Sequence, residues 1–557
     1  MAQRGSVTFQ VTFVPNGAVC FLQPECPVCV SLTNDMVAPG CTEGTRLSPR
    51  PAPAYRHFLR ALLASEHVSP ETERIHSAVV NFVAAAQRPA VLDPGEEPLA
   101  LLAGQWNLSE WNGRLILEAW DGPRNLVRRI AHLGEQKHDR LSLGIERFPK
   151  TPAELQIADL AGPLGGELAR RTSRIAFRDR FRLLLAREYP AWKTVDLSSE
   201  PNLEASLSPA WVRACLRLGS TGLAIIAAPP DIAAPEDVVA FGLIWLEYLR
   251  RREKNLTFRP LLLYVPVGRE KETALRVSLL NPTTADFQLF VYDERHRAAR
   301  LDLTDVGNAD STLPPCFRPL APNSGLPELP AGFPADQVHL GNGSVSLQIR
   351  GLEFARAVGG QLTCGFGRRK KSDLSTVVAM ANEVARIRCA HSEDTEHPFY
   401  LTNPESWLES SIRQNPESLD ATLRKSPIYG QVPIFHSAER GVIDLLGIDH
   451  TGRLTVIEIK ASPSIPLPFQ ALDYWLRVVK HLSAGDFERL GYFPDMTISR
   501  ETPRILLVAP ASEFHSTSET LLAALPPHIG VTRLGLAANW RHELKVVVRL
   551  AGAARPI

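Results

Sequence analysis

Two stretches of the chain repeat one order of apolar and amphipathic segments, and this repeat restricts the fold more than any other feature. The first stretch begins with LAIIAAPP at 223–230 and the second with VIEIKASP at 456–463. A short apolar run, a helix and a second apolar run predict an α/β unit. We interpret the match as duplication of a whole domain; the alternative is two unrelated α/β units with the same order. The runs that follow are FGLIWLEYL and RPLLLYVPV in the first stretch, and QALDYWLRV and PRILLVAP in the second.

The chain of 557 residues is too long for one hydrophobic core, so we expect several domains. Proline-dense segments disfavour both helices and strand ladders, and they mark the breaks. The predicted organisation is a poorly structured head at 1–56, a small helical and β region at 57–148, an α/β domain at 149–304, a proline-rich linker at 305–334 and a second α/β domain at 335–557.

The overall charge gives no sign of a nucleic-acid partner. Lys and Arg number 61 against 60 Asp and Glu, so any basic surface must be local. No apolar stretch reaches the ~18 residues of a membrane span, and the beginning of the chain lacks the apolar core of a signal peptide. We therefore expect a soluble, cytoplasmic protein without a membrane partner.

Four of the eight cysteines lie near the start of the chain, at Cys20, Cys26, Cys29 and Cys41. The Cys26–Cys29 pair has the CxxC spacing of zinc sites. The other two cysteines are irregularly placed and no histidine is near, which argues against Zn²⁺. We favour a loosely structured, reduced segment.

The segment GVIDLLGIDHTGRLTVIEIK at 441–460 carries the strongest chemical signal. Asp449–Gly452 predicts a turn between two strands. If the strands pair about this turn, Asp444 falls nearly opposite Glu458, and Lys460 shares a face with Glu458. The neighbouring residues are apolar, so the strands should be buried on both faces. Ionised groups there are costly unless compensated, and a divalent cation would compensate them.

Such a patch suits hydrolysis of a phosphodiester. A hard cation such as Mg²⁺ takes carboxylate oxygens and keeps several waters. It can neutralise phosphate charge and lower the pKa of an attacking water. A lysine can orient that water or stabilise charge in the transition state.

Asp444 followed by Glu458-Ile459-Lys460 resembles the signature of the PD-(D/E)XK nuclease superfamily, with Ile443 standing where the family has proline. Residues 400–510 are also similar to the catalytic domain of NucS-type endonucleases. The resemblance implies DNA as substrate and Mg²⁺ or Mn²⁺ as cofactor, although it does not define a lesion preference. It implies metal ligation by Asp444, Glu458 and the Ile459 carbonyl.

Two flanking helices strengthen the resemblance. Gln470 and Tyr474 form a Q-x-x-x-Y pair on one helical face, as in RecB-like members of the superfamily. An acidic helix followed by Asn415-Pro416 often opens these domains, and its acid completes the metal site. Glu405 and Glu409 are one helical turn apart, and the sequence leaves open which of them is the ligand.

The fold expected from this resemblance is α/β, with tandem restriction-endonuclease-like domains, small β additions and a degenerate first copy. The 223–228 run has no acid and no lysine, so we predict that the middle domain cannot cut. It could hold DNA, position the active copy or form a homodimer.

A basic run at Arg368, Arg369, Lys370 and Lys371 precedes a predicted helix. Backbone amides at the helix start and these side chains could contact phosphates; the alternative is a solvated loop. We predict a metal-dependent endodeoxyribonuclease, with RNA left open as a substrate. The alternative function is a catalytically idle nucleic-acid-binding or scaffold protein.

Overall fold

The computed structural model describes residues 70–111, 114–122, 124–147, 151–304, 311–316, 328–340, 344–436 and 439–554. The head at 1–56, with its four cysteines, lies outside these residues. The described residues form four β-sheets with helices packed against them, which confirms the mixed α/β class. Within these ranges, no helix combines the length and the apolar character needed to cross a membrane.

The first sheet has seven antiparallel strands in the order β2-β1-β7-β6-β5-β4-β3, covered by helix α1 (Pro70–Ala85). In the register of β3 and β4, Trp111 pairs with Arg114. The last strand ends at Asp159, so this sheet extends past residue 148. The strands are β1 Pro89–Leu92, β2 Leu99–Ala100, β3 Trp106–Trp111, β4 Arg114–Asp121, β5 Arg124–Gln136, β6 Arg140–Arg147 and β7 Thr151–Asp159.

The second sheet is built from six strands in chain order, and only its central pairs, β10–β11 and β11–β12, are parallel. Helix α2 (Pro163–Glu188) packs on one face, while α3 (Val238–Arg252) and α4 (Lys271–Ser278) lie on the other. Both faces of β10 are therefore buried, which explains its unbroken apolar run. The strands are β8 Lys193–Ser198, β9 Val212–Leu218, β10 Thr221–Ala227, β11 Thr257–Pro266, β12 Asp286–Tyr292 and β13 Ala298–Arg300.

A third sheet of five antiparallel strands lies inside the segment 335–557, which the sequence led us to treat as one domain. It packs against helix α5 (Leu374–Ile387) and has its own hydrophobic core. The segment 335–557 thus contains two sheets. The strands are β14 Asp336–His339, β15 Val345–Ile349, β16 Leu352–Val358, β17 Gln361–Cys364 and β18 Lys370–Lys371.

The fourth sheet also has six strands in chain order. Helices α6 (Pro398–Leu401) and α7 (Pro404–Gln414) pack on one face, and α8 (Leu467–Ser483) packs on the other. The short helices α9 (Asp486–Arg489) and α10 (Ser518–Leu522) follow. The strands are β19 Tyr429–His436, β20 Glu439–Ile448, β21 Leu454–Ile459, β22 Arg504–Pro510, β23 Val531–Leu536 and β24 Val546–Ala551.

The second and fourth sheets have the same strand order and the same strand directions. In each, two antiparallel pairs precede two parallel pairs, and a final antiparallel strand closes the edge. Strand β10 therefore corresponds to β21, α3 to α8 and α4 to α10. The order of elements that the sequence repeat indicated is present in both halves.

The residue-by-residue match between LAIIAA and VIEIKA is wrong by one position. Ile225 packs against α2, on one face of the second sheet. In the fourth sheet, Ile457 and Ile459 pack against α7, which covers the corresponding face. Glu458 lies between these two residues and therefore points to the opposite face. Because side chains alternate along a strand, Glu458 corresponds to Ile226, which faces α3. With Ile226 at the position of Glu458, the middle copy still has no acid and no lysine in this strand.

The two six-stranded units pack on each other with quasi-two-fold symmetry. Helix α3 contacts α10, and the corresponding α8 contacts α4. One hydrophobic core runs through both units. On the α4–α8 side, the buried Arg276 guanidinium bridges Asp237 and Asp473 at 2.9 and 2.8 Å.

Part of the proline-rich segment packs on the fourth sheet. Leu313 is buried in the core beside α8, and the Pro314 carbonyl accepts a hydrogen bond from the Tyr492 hydroxyl. Ser311 Oγ lies 2.9 Å from Nε2 of His481. Residues 311–316 are thus attached to the domain, whereas 317–327 lie outside the described residues.

Candidate active site

The site lies where strands β20 and β21 separate. Their ladder runs from Ile448–Leu454 to Leu445–Ile457 and ends there. The same register carried one step further sets Asp444 opposite Glu458, as the sequence predicted. At this point the backbone N–H of Ile459 donates to Asp444 Oδ2 at 2.9 Å, so a carboxylate takes the place of a ladder carbonyl.

Glu458 and Lys460 lie together, as predicted for residues on one strand face. Lys460 Nζ donates to Glu458 Oε1 at 3.0 Å and to the Ile459 carbonyl at 3.2 Å. The Glu458 side chain is fully buried and that of Lys460 is 15% exposed. Oε2 of Glu458 is buried and has no hydrogen-bond partner among the described residues. A buried carboxylate oxygen without a partner is costly, and it is open to a further ligand.

The acids of this site perturb each other. Burial, and then the negative charge of Asp444, raises the pKa of Glu458 to about 8. Burial also raises the pKa of Asp444, and nearby Glu405 adds to the rise. Burial acts to lower the pKa of Lys460, but the carboxylates of Glu458 and Asp444 outweigh it and hold that pKa above its ordinary value. The site therefore favours added positive charge.

The two acids of α7 occupy different places. Glu405 Oε1 accepts a long hydrogen bond of 3.4 Å from the Ala461 N–H, beyond the end of β21, and its charge acts on Asp444, Glu458 and Lys460. Glu409 is buried, which raises its pKa to about 7. It accepts a hydrogen bond of 2.8 Å from Gln431 Nε2. Glu405 thus approaches the Glu458–Lys460 pair directly, whereas Glu409 approaches Asp444 through Gln431.

Sequence reasoning missed Gln431. The register of β19 and β20 sets it opposite Asp444, to which it also hydrogen-bonds. Its φ of 50° is in the left-handed region, which is unfavourable for a residue with a side chain. The neighbouring Gly430 makes room, because a Cβ there would lie 2.7 Å from Glu409 Oε1. A glutamine within a strand carries no signal of this role until the strand register is known.

The predicted pair on α8 is formed. Gln470 Nε2 donates to the Tyr474 hydroxyl at 3.3 Å. Burial raises the pKa of Tyr474, and the charge of Glu458 contributes. The Arg477 guanidinium lies 5.9 Å from the centre of the Tyr474 ring and pairs with Glu272 of α4 at 3.3 Å. The quasi-symmetric middle unit thereby contacts the helix that borders the site.

The donors at the ladder end fit a hard cation. They are the carboxylates of Asp444 and Glu458, the Ile459 carbonyl and, at the rim, Glu405, all of them oxygen ligands of the kind Mg²⁺ and Mn²⁺ take. Across the described ranges, no three His, Cys, Asp or Glu side chains form a ready metal cage. Lys460 now contacts Glu458 and the Ile459 carbonyl, so its ammonium group supplies positive charge where a cation would bind.

The basic run lies on a different sheet from the acids. Lys370 and Lys371 form the exposed edge strand β18, and Arg369 pairs with Glu353 at 2.6 Å. At the start of the following helix, the Asp373 carboxylate caps α5 by accepting from Thr376 N at 2.8 Å, so a phosphate bound there would meet a negative charge. Arg368 is exposed.

The sequence matches no model of a known protein family, and it matches no curated protein.

Proposed function

We propose that the protein is a metal-dependent nuclease that hydrolyses phosphodiester bonds in DNA at the end of strand β21. The observation that carries the proposal is the buried, unpartnered Oε2 of Glu458 beside Asp444 and Lys460. Glu458 is buried, Asp444 beside it is half-buried, and both have raised pKa values. Such a pair needs compensating charge, and a hard cation supplies it.

Asp444, Glu458 and the Ile459 carbonyl would hold Mg²⁺ or Mn²⁺, with Glu405 completing the set. When bound, the cation supplies charge neutralisation for the phosphate and an acidified water. The remaining steps would fall to side chains of the protein. Lys460 would exchange its contacts with Glu458 and Ile459 for the attacking water or the phosphate, where its charge stabilises the transition state.

Gln431 and Glu409 would hold Asp444 in position through a chain of hydrogen bonds from Glu409 to Gln431 to Asp444. Gln431 contacts both carboxylates and keeps Asp444 directed to the ladder end. Gln470 and Tyr474 would support the site from α8, since the charge of Glu458 reaches the tyrosine hydroxyl.

We further propose that the second and fourth sheets are tandem restriction-endonuclease-like domains, the first of them degenerate. Their identical strand order and directions support duplication. Ile226 takes the position of Glu458, and an isoleucine cannot ligate a metal. In a full-length Glu458→Gln variant, only the middle unit could still cut. We therefore expect this variant to leave DNA intact with any divalent cation.

The decisive experiment compares cleavage of labelled single-stranded and duplex DNA, and of RNA, in Mg²⁺ and in Mn²⁺. Wild-type protein should cut at least one DNA substrate. Asp444→Asn and Glu458→Gln should abolish cutting, while Glu501→Gln, an exposed acid of the same unit, should leave it unchanged. Full activity in Asp444→Asn would contradict the proposal. Metal-independent binding without cutting by the wild type would favour the idle nucleic-acid-binding alternative.

A further inference from the structure

A cleft of about 530 Å³ lies at the carboxyl end of β10, in the middle unit. The segment Pro229–Ile232, which follows this strand, forms one wall. Helix α2 forms a second wall, and residues of the first sheet, including Arg124, close the third side. Residues 208–210, which precede β9, complete the lining, so the cleft is built from several separate parts of the chain.

This cleft occupies the place that the candidate active site has in the fourth sheet. Strand β10 corresponds to β21, and Glu458 and Lys460 lie at the end of β21. Helix α2 precedes the second sheet as α7 precedes the fourth, and each packs on the corresponding sheet face. The middle unit lacks the acids of that site but retains a concave surface there.

The charge of the two places is reversed. Helix α7 presents Glu405 and Glu409, one turn apart, to its strand end. Helix α2 presents Arg170 and Arg174, also one turn apart, to the cleft. Arg170 is exposed and Arg174 is partly buried. Acids in the fourth sheet suit a cation, whereas arginines at the corresponding place suit an anion directly.

The positive charge of these two arginines is not neutralised by an ion pair with another described residue. Two acids, Glu97 and Asp231, line the cleft, and Glu97 is already paired with Arg124 and Arg180. Neither Arg170 nor Arg174 forms an ion pair with another described residue. The remaining lining is largely apolar and includes Phe177, Leu160 and Ile232.

We propose that this cleft binds a nucleotide unit, with its phosphate on Arg170 and Arg174 and its base against the apolar wall. Guanidinium groups bind phosphate oxygens in pairs, and an apolar wall accepts the face of a base. The unit is a free nucleotide or the terminal nucleotide of a strand, which share this chemistry. The choice of a nucleotide over other organic phosphates rests on the proposed function; the anion site itself does not.

The test measures binding to the full chain in EDTA, which keeps the metal site out of the reaction. The probes are inorganic phosphate, deoxyadenosine monophosphate and a 5′-phosphorylated single strand. Wild-type protein should bind the mononucleotide, and the double variant Arg170→Gln/Arg174→Gln should lose at least about tenfold in affinity. Arg171→Gln, an exposed arginine of the same helix outside the cleft lining, should bind as wild type does.

The single strand distinguishes the two sources. If the strand and the mononucleotide compete for the wild type, and this competition is lost in the double variant, the ligand of the cleft is the end of a strand. If only the mononucleotide binds, the ligand is a free nucleotide. The proposal is overturned if the wild type does not bind the mononucleotide, if the double variant binds it unchanged, or if inorganic phosphate binds equally well. Asp444→Asn should keep full mononucleotide affinity, so failure of the cleft and failure of the nuclease proposal give different results.

Discussion

Glu458→Gln should stabilise the metal-free protein at high pH. The wild-type carboxyl has a pKa of about 8 in the folded chain, compared with 4.5 for an exposed glutamate. Folding therefore favours the protonated form, so ionisation opposes folding progressively as the pH rises from about 4.5 to about 8. One pKa unit corresponds to about 1.4 kcal/mol, so the full difference has an upper limit of about 5 kcal/mol.

Glutamine removes this ionisation while keeping the shape of the side chain and an oxygen for Lys460. We expect the free energy of unfolding of Glu458→Gln to be close to that of wild type at pH 5. At pH 9 the variant should be more stable by one to several kcal/mol, within the limit of about 5 kcal/mol set by the pKa difference. Adding Mg²⁺ at pH 9 should stabilise the wild type more than the variant, because binding to the folded state offsets the cost of ionisation.

Urea unfolding in EDTA, followed at pH 5, 7 and 9, measures these differences directly. Glu501→Gln serves as the matched control, because it makes the same chemical change at an exposed side chain of the same unit. A variant less stable than wild type at pH 9, or one shifted equally at all three pH values, would refute the assignment of Glu458 as a buried acid whose ionisation opposes folding.

Three further predictions concern other parts of the chain. Lys460→Ala should lower the single-turnover cleavage rate on the order of 100-fold without weakening DNA binding; weaker binding with an unchanged rate would make it a substrate anchor. Arg276→Ala should cost about 3–5 kcal/mol of stability in urea, because Asp237 and Asp473 lose their buried partner; Arg276→Lys should restore part of it, and a stable alanine variant would contradict the reasoning. Replacing Arg368, Arg369, Lys370 and Lys371 by glutamine should flatten the salt dependence of DNA binding if this run contacts phosphates; an unchanged slope would leave it as solvated surface.

The sequence predicted the site geometry best where one hairpin contains it. The turn at Asp449–Gly452 fixes the register locally, so the positions of Asp444, Glu458 and Lys460 follow from alternation alone. The comparison of the two halves failed by one residue, because both faces of β10 are buried and an apolar run has no alternation that could reveal its facing.

Features that depend on distant segments could not be predicted. Gln431 reaches Asp444 from a neighbouring strand, and its strained φ has no sequence signature. The cleft beside Arg170 and Arg174 exists because the first sheet closes one side of it. The separate sheet at Asp336–Lys371 was overlooked because its strands have two to seven residues.

The quasi-two-fold packing has a consequence for how the chain could change over evolution. In a dimer of identical subunits, every interface residue occurs twice, in surroundings related by the two-fold axis. Two units on one chain can instead diverge independently. The α4–α8 side is closed by the ion pairs of Arg276. On the α3–α10 side there is instead a cavity of about 300 Å³. A substitution on one side is therefore not repeated on the other, so each half can change its residues while the other half keeps its own.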